Sequence, residues 1–262
     1  MQHFLSVTPS DIRCLPAARP TLAHVAYRIG PDNALLRQNL LLQTKGGLLS
    51  VSDANAPHVD HPKALCSAVL RECSRRSYSG VVLDFESTVR SDLLRFAQQL
   101  AAVLAEKRMD LFVPESYAKS APSAIPLICT ALSGGDLTER LEQAMAAYPG
   151  RRLALDIQRL RMDFDLPSRS GKGHPLSENA LHALIDSYHP TVFFSHALCT
   201  RYFTYTQNGI AHFVLFDDAD TLRQKLNIGS KLGYCAAFFQ WPEICDIADR
   251  LFPQTNKQPS AP

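Results

Sequence analysis

The sequence predicts an α/β protein built as a (β/α)8 TIM barrel, with a small β-hairpin inserted before the last strand. Three observations predict it. Eight short apolar runs rich in β-branched or aromatic residues recur along the chain, and most lead into a stretch of helical period. The 262-residue length is also what eight such units require. A doubly wound open sheet is the competing layout, but no Gly-x-Gly-x-x-Gly follows the first runs, so a dinucleotide-binding fold has no support.

The predicted strands are residues 3–7, 23–29, 48–52, 80–85, 110–114, 125–131, 152–158 and 235–240. A helix is expected from Pro62 after the third strand. Between the fourth and fifth, Leu93, Phe96, Ala97, Leu100, Val103 and Leu104 recur at spacings of three and four, with Ser87 or Ser91 as N-cap. Further helices are expected over 136–148, opened by Asp136, over 177–188, opened by Ser177, and over 221–232 and 245–251. Residues 202–206 and 211–216 read as two strands joined through Asn208-Gly209, a strong hairpin-turn pair, within an insert of about 191–216. Residues 1–252 form one domain, and the polar, proline-rich 253–262 is expected to be a disordered tail.

Hydrophobic residues make up 46% and charged residues 20% of the chain, the balance of a compact globular protein. Twenty-seven Lys and Arg against 25 Asp and Glu argue against nucleic acid as a partner, and Arg75-Arg76, Arg159 and Arg161 are too sparse to change that. No apolar run approaches the ~20 residues of a membrane span, and residues 1–13 lack a secretion signal, so the expectation is a cytoplasmic protein with no membrane partner. Seven widely spaced cysteines without a Cys-x-x-Cys pair read as reduced thiols, Cys129 among them. His58-x-Asp60-His61 has the residue types of a metal site, which keeps a metal-dependent hydrolase as a minor alternative, but it reads better as a solvated loop. Gly171-Lys172-Gly173 lacks the order of a phosphate loop and reads as a mobile connection, and Asp163 and Asp165 read as a polar loop edge. Neither a metal nor a cofactor is expected.

Reactive groups of such a barrel lie at the C-terminal ends of its strands. The fourth run, Ser79-Gly80-Val81-Val82-Leu83-Asp84-Phe85-Glu86, sends Val82, Asp84 and Glu86 to one face, which places two carboxylates about 6 to 7 Å apart facing inward. Burial and mutual repulsion then hold a proton on one of them at unusually high pH, as a general acid requires. The plainer reading is a pair of strand-end acids tied up by arginine or backbone amides. Tyr27, Glu115, Tyr117 and Gln158 fall at other strand ends and are candidate substrate contacts.

Gly80, Asp84 and Glu86 match the signature Asp-Gly-x-Asp-x-Asp-x-Glu, and the segment resembles family 18 glycoside hydrolases, with Ser79 and Val82 where that family carries aspartates. Tyr202-Phe203-x-Tyr205, Asn208-Gly209, Phe216-Asp217-Asp218, Lys225-Leu226, Leu232-Gly233 and Trp241 look like the corresponding stretch of spore-associated members. Ser50-Val51-Ser52-Asp53 replaces the family's paired glycines, and Ile128-Cys129-Thr130-Ala131 replaces its Tyr-Asp pair. The resemblance implies hydrolysis of β-linked N-acetylhexosamine in peptidoglycan- or chitin-type oligosaccharides by a substrate-assisted retaining route. It gives Glu86 the acid/base role, Asp84 the role of its partner and Trp241 the floor of the sugar site, and it suggests spore association. A single tryptophan argues against a processive chitinase and for short or soluble substrates. The alternative from another class is a catalytically inactive carbohydrate-binding barrel, motivated by Ser79, Val82 and the altered sixth strand.

Overall fold

The computed structural model describes residues 1–15, 19–38, 45–167 and 171–252. Eight parallel strands follow one another around a closed sheet: β1 (Gln2–Val7), β2 (Thr21–Ile29), β3 (Leu48–Ser52), β4 (Gly80–Asp84), β5 (Asp110–Pro114), β6 (Ile125–Cys129), β7 (Ala154–Ile157) and β8 (Ala236–Gln240). Pairing of β1 with both β8 and β2 closes the circle, so these strands expose no open edge. All eight lie where the apolar runs predict them, with ends shifted by up to two residues. The expected tail 253–262, and residues 168–170 of the expected mobile connection, lie outside the described residues.

Side chains sort by the strand period into two apolar layers. Phe4, Ala23, Leu48, Val82, Phe112, Ile125, Ala154, Ala236 and Phe238 fill the barrel interior. The alternate residues of the same strands, among them Leu49, Val51, Val81, Leu83, Leu155 and Phe239, meet the helices in an outer shell.

The helices are α1 (Pro62–Arg76), α2 (Ser91–Glu106), α3 (Leu137–Ala147), α4 (Glu178–Tyr188) and α5 (Ala219–Lys231), followed by the short turns Trp241–Ile244 and Ala248–Leu251 in place of the single helix expected over 245–251. On α2 the predicted stripe is the buried face, with Leu93, Phe96, Ala97, Leu100 and Leu104 all at 0% exposure. Its expected cap is corrected. Arg90 occupies the N-cap position, Ser91 is the first helical residue, and the Ser87 hydroxyl donates instead to the Asp53 carboxylate. Asp136 caps α3 and Ser177 caps α4 as expected. Helix α5 starts two residues before Thr221, because Thr221 is the third residue of a capping box closed by Asp218.

Between β7 and β8 the chain leaves the barrel to build a five-stranded antiparallel sheet from Arg161–Leu166, His174–Pro175, Phe193–Ser195, Thr200–Gln207 and Ile210–Phe216. The hairpin turns at Asn208 (φ 53°) and Gly209 (φ 77°), as the dipeptide predicts. The added sheet is wider than an insert of 191–216, since Ile210–Phe216 pairs with Arg161–Leu166 across α4. Asp163 and Asp165 therefore lie in a strand and not on a loop edge. Asp163 is buried, accepts a 2.6 Å hydrogen bond from the Tyr205 hydroxyl and lies 3.2 Å from His212 Nδ1. No described helix is long and apolar enough to cross a membrane. All seven cysteines are free.

Candidate active site

Gly80 opens β4 where strands crowd: a Cβ there would stand 2.7 Å from the Asp110 carbonyl oxygen and 3.0 Å from Leu48, so the signature glycine answers to strand packing. From it the period of two runs inward through Val82, which sits in the barrel core, to Asp84 at the strand end and Glu86 two residues on. Both carboxylates line a cavity of about 570 Å3 at the C-terminal mouth of the barrel. Its wall also includes Glu115, Asp156, Gln158, Gln240, Ser6, Ser50, Cys129 and Phe238.

Burial is the first cause that pushes the Asp84 carboxyl up to about 6, and the charges of Glu86, Asp156 and Asp53 add to it. Asp156 faces the same cavity from β7. Burial carries its pKa to about 6 against the opposing effect of a 2.7 Å hydrogen bond from Gln158 Nε2, with Glu243 and Glu86 repelling its charge. Asp53, just past β3 and 3% exposed, accepts the Glu86 backbone N–H at 3.0 Å and the Ser87 N–H at 3.2 Å. It holds the turn that carries Glu86. The start of α2 is braced in a similar way, since Arg90 donates to the carbonyls of Ala56 and Pro57 and pairs with Asp92.

The structure brings Asp84, Glu86, Glu115 and Gln158 together, with Glu115 paired to Arg140. Tyr27, Tyr117 and Trp241, the other expected sugar contacts, are not among the residues that line that cavity. On β2 the register slips between Val25 and Tyr27, so Val25 aligns with inward Ser50 but Tyr27 aligns with outward Val51. This bulge turns the Tyr27 ring to the outer shell, where its hydroxyl donates to Glu72 at 3.0 Å. Tyr117 is fully buried on the short turn Glu115–Tyr117, edge-on to Phe85 with ring centroids 5.2 Å apart. Trp241 follows Gln240 by one residue. The strand ends at Gln240 and Trp241 opens the helical turn Trp241–Ile244, where at 8% exposure it packs in the outer shell.

Asp156, Asp53 and Gln240 are the site residues that sequence reasoning passed over. Asp156 carried a legible signal, because Ala154-x-Asp156-x-Gln158 repeats on β7 the inward alternation of β4. His58, Asp60 and His61 form no metal cluster: His58 lies 3.8 Å from Asp60 and 3.4 Å from Asp92, and His61 occupies the N-cap position of α1. Among the described residues no group of three or more His, Cys, Asp or Glu is arranged to hold a metal ion.

No protein-family model matches the chain, and no curated protein matches it by sequence. Solved structures do match. A chitinase from Chromobacterium violaceum ATCC 12472 superposes with a TM-score of 0.68 at 16% identity, covering 92% of this chain and 94% of its own. The spore cortex-lytic enzyme SleL of Bacillus megaterium QM B1551 gives 0.66 at 14% identity over 92% of this chain and 70% of that one. The family 18 chitinase of Cycas revoluta, solved in complex with (GlcNAc)3, gives 0.65 at 13% identity over 97% and 98%. The chain shares the barrel fold of family 18 chitinases and spore cortex-lytic enzymes.

Proposed function

We propose that the protein is a glycoside hydrolase that cleaves β-linked N-acetylhexosamine in peptidoglycan- or chitin-type oligosaccharides by substrate-assisted retaining hydrolysis. The observation that carries the reading is the pair Asp84, at the end of β4, and Glu86, two residues on, opening into a shared cavity. The shared fold with SleL and with a chitinase crystallised with (GlcNAc)3 supports N-acetylglucosamine-containing material as the substrate, and spore-cortex peptidoglycan as one source of it. A cavity of about 570 Å3 is large enough for one or two sugar rings, which favours short chains over a processive track.

In this mechanism Glu86 donates its proton to the leaving glycosidic oxygen as that bond breaks, and the substrate's acetamido oxygen attacks the anomeric carbon from the opposite face. Asp84, ionised, stabilises the positive charge of the oxazolinium so formed. Glu86, now a carboxylate, takes a proton from water as the water oxygen reopens the ring at the anomeric carbon, and retention results from the two displacements. Asp53 holds the backbone of Glu86 and Ser87 and so fixes the angle at which Glu86 meets the leaving group. Glu86→Gln should cut release of a chromophoric aglycone from a chitobioside or muropeptide substrate by about 10²–10⁴ with the melting temperature unchanged. Undiminished turnover would overturn the assignment.

One observation favours a second reading, a carbohydrate-binding barrel without turnover. Val82 packs in the apolar interior where the family signature has an acid, so nothing at that position shares a proton with Asp84. Calorimetric binding of N-acetylglucosamine oligomers with no product in a parallel assay would select it.

A further inference from the structure

On the outer wall of the barrel, away from the acidic mouth, lies a second concavity of about 770 Å3 between α1 and the short strand Leu35–Arg37 that pairs with β2. Its lining is unlike the rest of a chain with a net charge of only +2: four arginines, Arg37, Arg71, Arg75 and Arg76, face one carboxylate, Glu72. The helical contributors Ala68, Arg71, Glu72, Arg75 and Arg76 fall at spacings of three and four, so they form one continuous stripe along α1. Tyr27, Leu35, Leu36 and Ala68 supply an apolar part of the wall.

The single acid is already committed. Glu72 accepts the Tyr27 hydroxyl at 3.0 Å and pairs with Arg76, whose side chain is only 10% exposed. Desolvation would raise the Glu72 pKa, but the hydrogen bonds from Arg76 and Tyr27 and the charges of Arg76 and Arg75 outweigh it and hold the group below its ordinary value. Arg76 is thus a buried, oriented anchor, while Arg71 and Arg75 are exposed one turn apart with no carboxylate in ion-pair contact among the described residues. Like charges at that spacing repel along a helix, and two guanidiniums set on a rigid wall present paired N–H forks of the kind that grip phosphate oxygens bidentately.

We propose that this pocket binds a phosphorylated organic anion carrying two or more negative charges, its phosphates held by Arg71 and Arg75 and its organic part lying against Tyr27, Leu35 and Leu36. The site is separate from the barrel mouth and does not depend on the hydrolase reading. Calorimetric titration of the full chain at low salt tests it with two probes: inorganic pyrophosphate for the phosphate forks, and adenosine diphosphate for the added organic contact. One equivalent of each should bind, the diphosphate nucleoside more tightly, and affinity should fall as salt rises. Arg71→Gln with Arg75→Gln should weaken both about tenfold or more, and Arg71→Lys with Arg75→Lys, which keeps the charge but loses the forks, should fall between.

Both positions are exposed, so far-ultraviolet circular dichroism should report an unaltered fold in each variant. Lys119→Gln with Lys231→Gln removes the same charge from exposed positions elsewhere and should leave affinity unchanged. No pyrophosphate binding by the wild-type chain would overturn the proposal. So would an equal loss in the lysine control, and equal affinity for the two probes would overturn the organic contact.

Discussion

Asp84 at the barrel mouth and the acids Asp163 and Asp217 of the inserted sheet are partly or wholly withdrawn from solvent, yet they are treated in opposite ways. Asp217, at the end of the insert's last strand and 0% exposed, accepts hydrogen bonds from Lys225 Nζ at 2.7 Å, Thr221 Oγ1 at 2.9 Å and the Leu160 N–H at 2.9 Å. Asp163 is likewise paired with Tyr205 and His212. Among the described residues no hydrogen-bond donor reaches Asp84, and its neighbours in the cavity are other carboxylates. A satisfied buried acid holds a fold together, whereas an unsatisfied one marks a candidate functional site. The difference separates a clamp from a candidate reaction site within one chain.

The sharpest way to break that comparison is to remove the acid at Glu86, which should lower kcat/KM by about 10²–10⁴ while leaving thermal stability intact, the size of a general-acid contribution. The converse change at the clamp, Lys225→Met, strands the Asp217 charge and should destabilise the fold by about 3–5 kcal/mol in urea denaturation. An activity loss without unfolding at Lys225 would erase the distinction.

A third experiment reads the unpaired acid by its pH dependence. The folded pKa of Asp84, about 6, exceeds an unfolded value near 4, so between those limits the folded state binds more protons and stability falls as pH rises, a cost that persists above pH 6. Asp84→Asn removes it. The variant should match the wild type near pH 3.5 and be more stable by about 1–3 kcal/mol at pH 7, measured as the difference between their urea midpoints across pH. Turnover should move the other way: an acid limb near pH 6, where Asp84 loses the charge that stabilises the oxazolinium, should mark the wild-type rate profile. The smallest effect is expected at Asp53→Asn, where weaker acceptors for the Glu86 and Ser87 amides should lower kcat about tenfold, near 1.4 kcal/mol, with KM unchanged.

Much of the scaffold was legible along the chain. The eight strands, the buried stripe of α2, the Asn208-Gly209 turn and the inward pair Asp84 and Glu86 all follow from local periodicity and turn chemistry. What escaped was non-local. The slip at Val25 is a backbone irregularity that no side-chain pattern announces, and it carried Tyr27 to the wrong face of the expected site. The partner of the predicted hairpin was a strand some 45 residues upstream, Arg161–Leu166, because antiparallel strands pair across any intervening chain that can close the loop.

The order of apolar runs, the helix stripes and the positions of the acids on their strands are properties of the sequence alone, because covalent geometry imposes the periods of 2 and 3.6 wherever a strand or a helix forms. Tertiary structure alone decided which acids meet and which are paid in hydrogen bonds. Asp156 reaches the cavity of Asp84 and Glu86, and Arg37 joins the arginine stripe of α1, because strand pairing and barrel closure fix distances between residues that the chain itself leaves far apart.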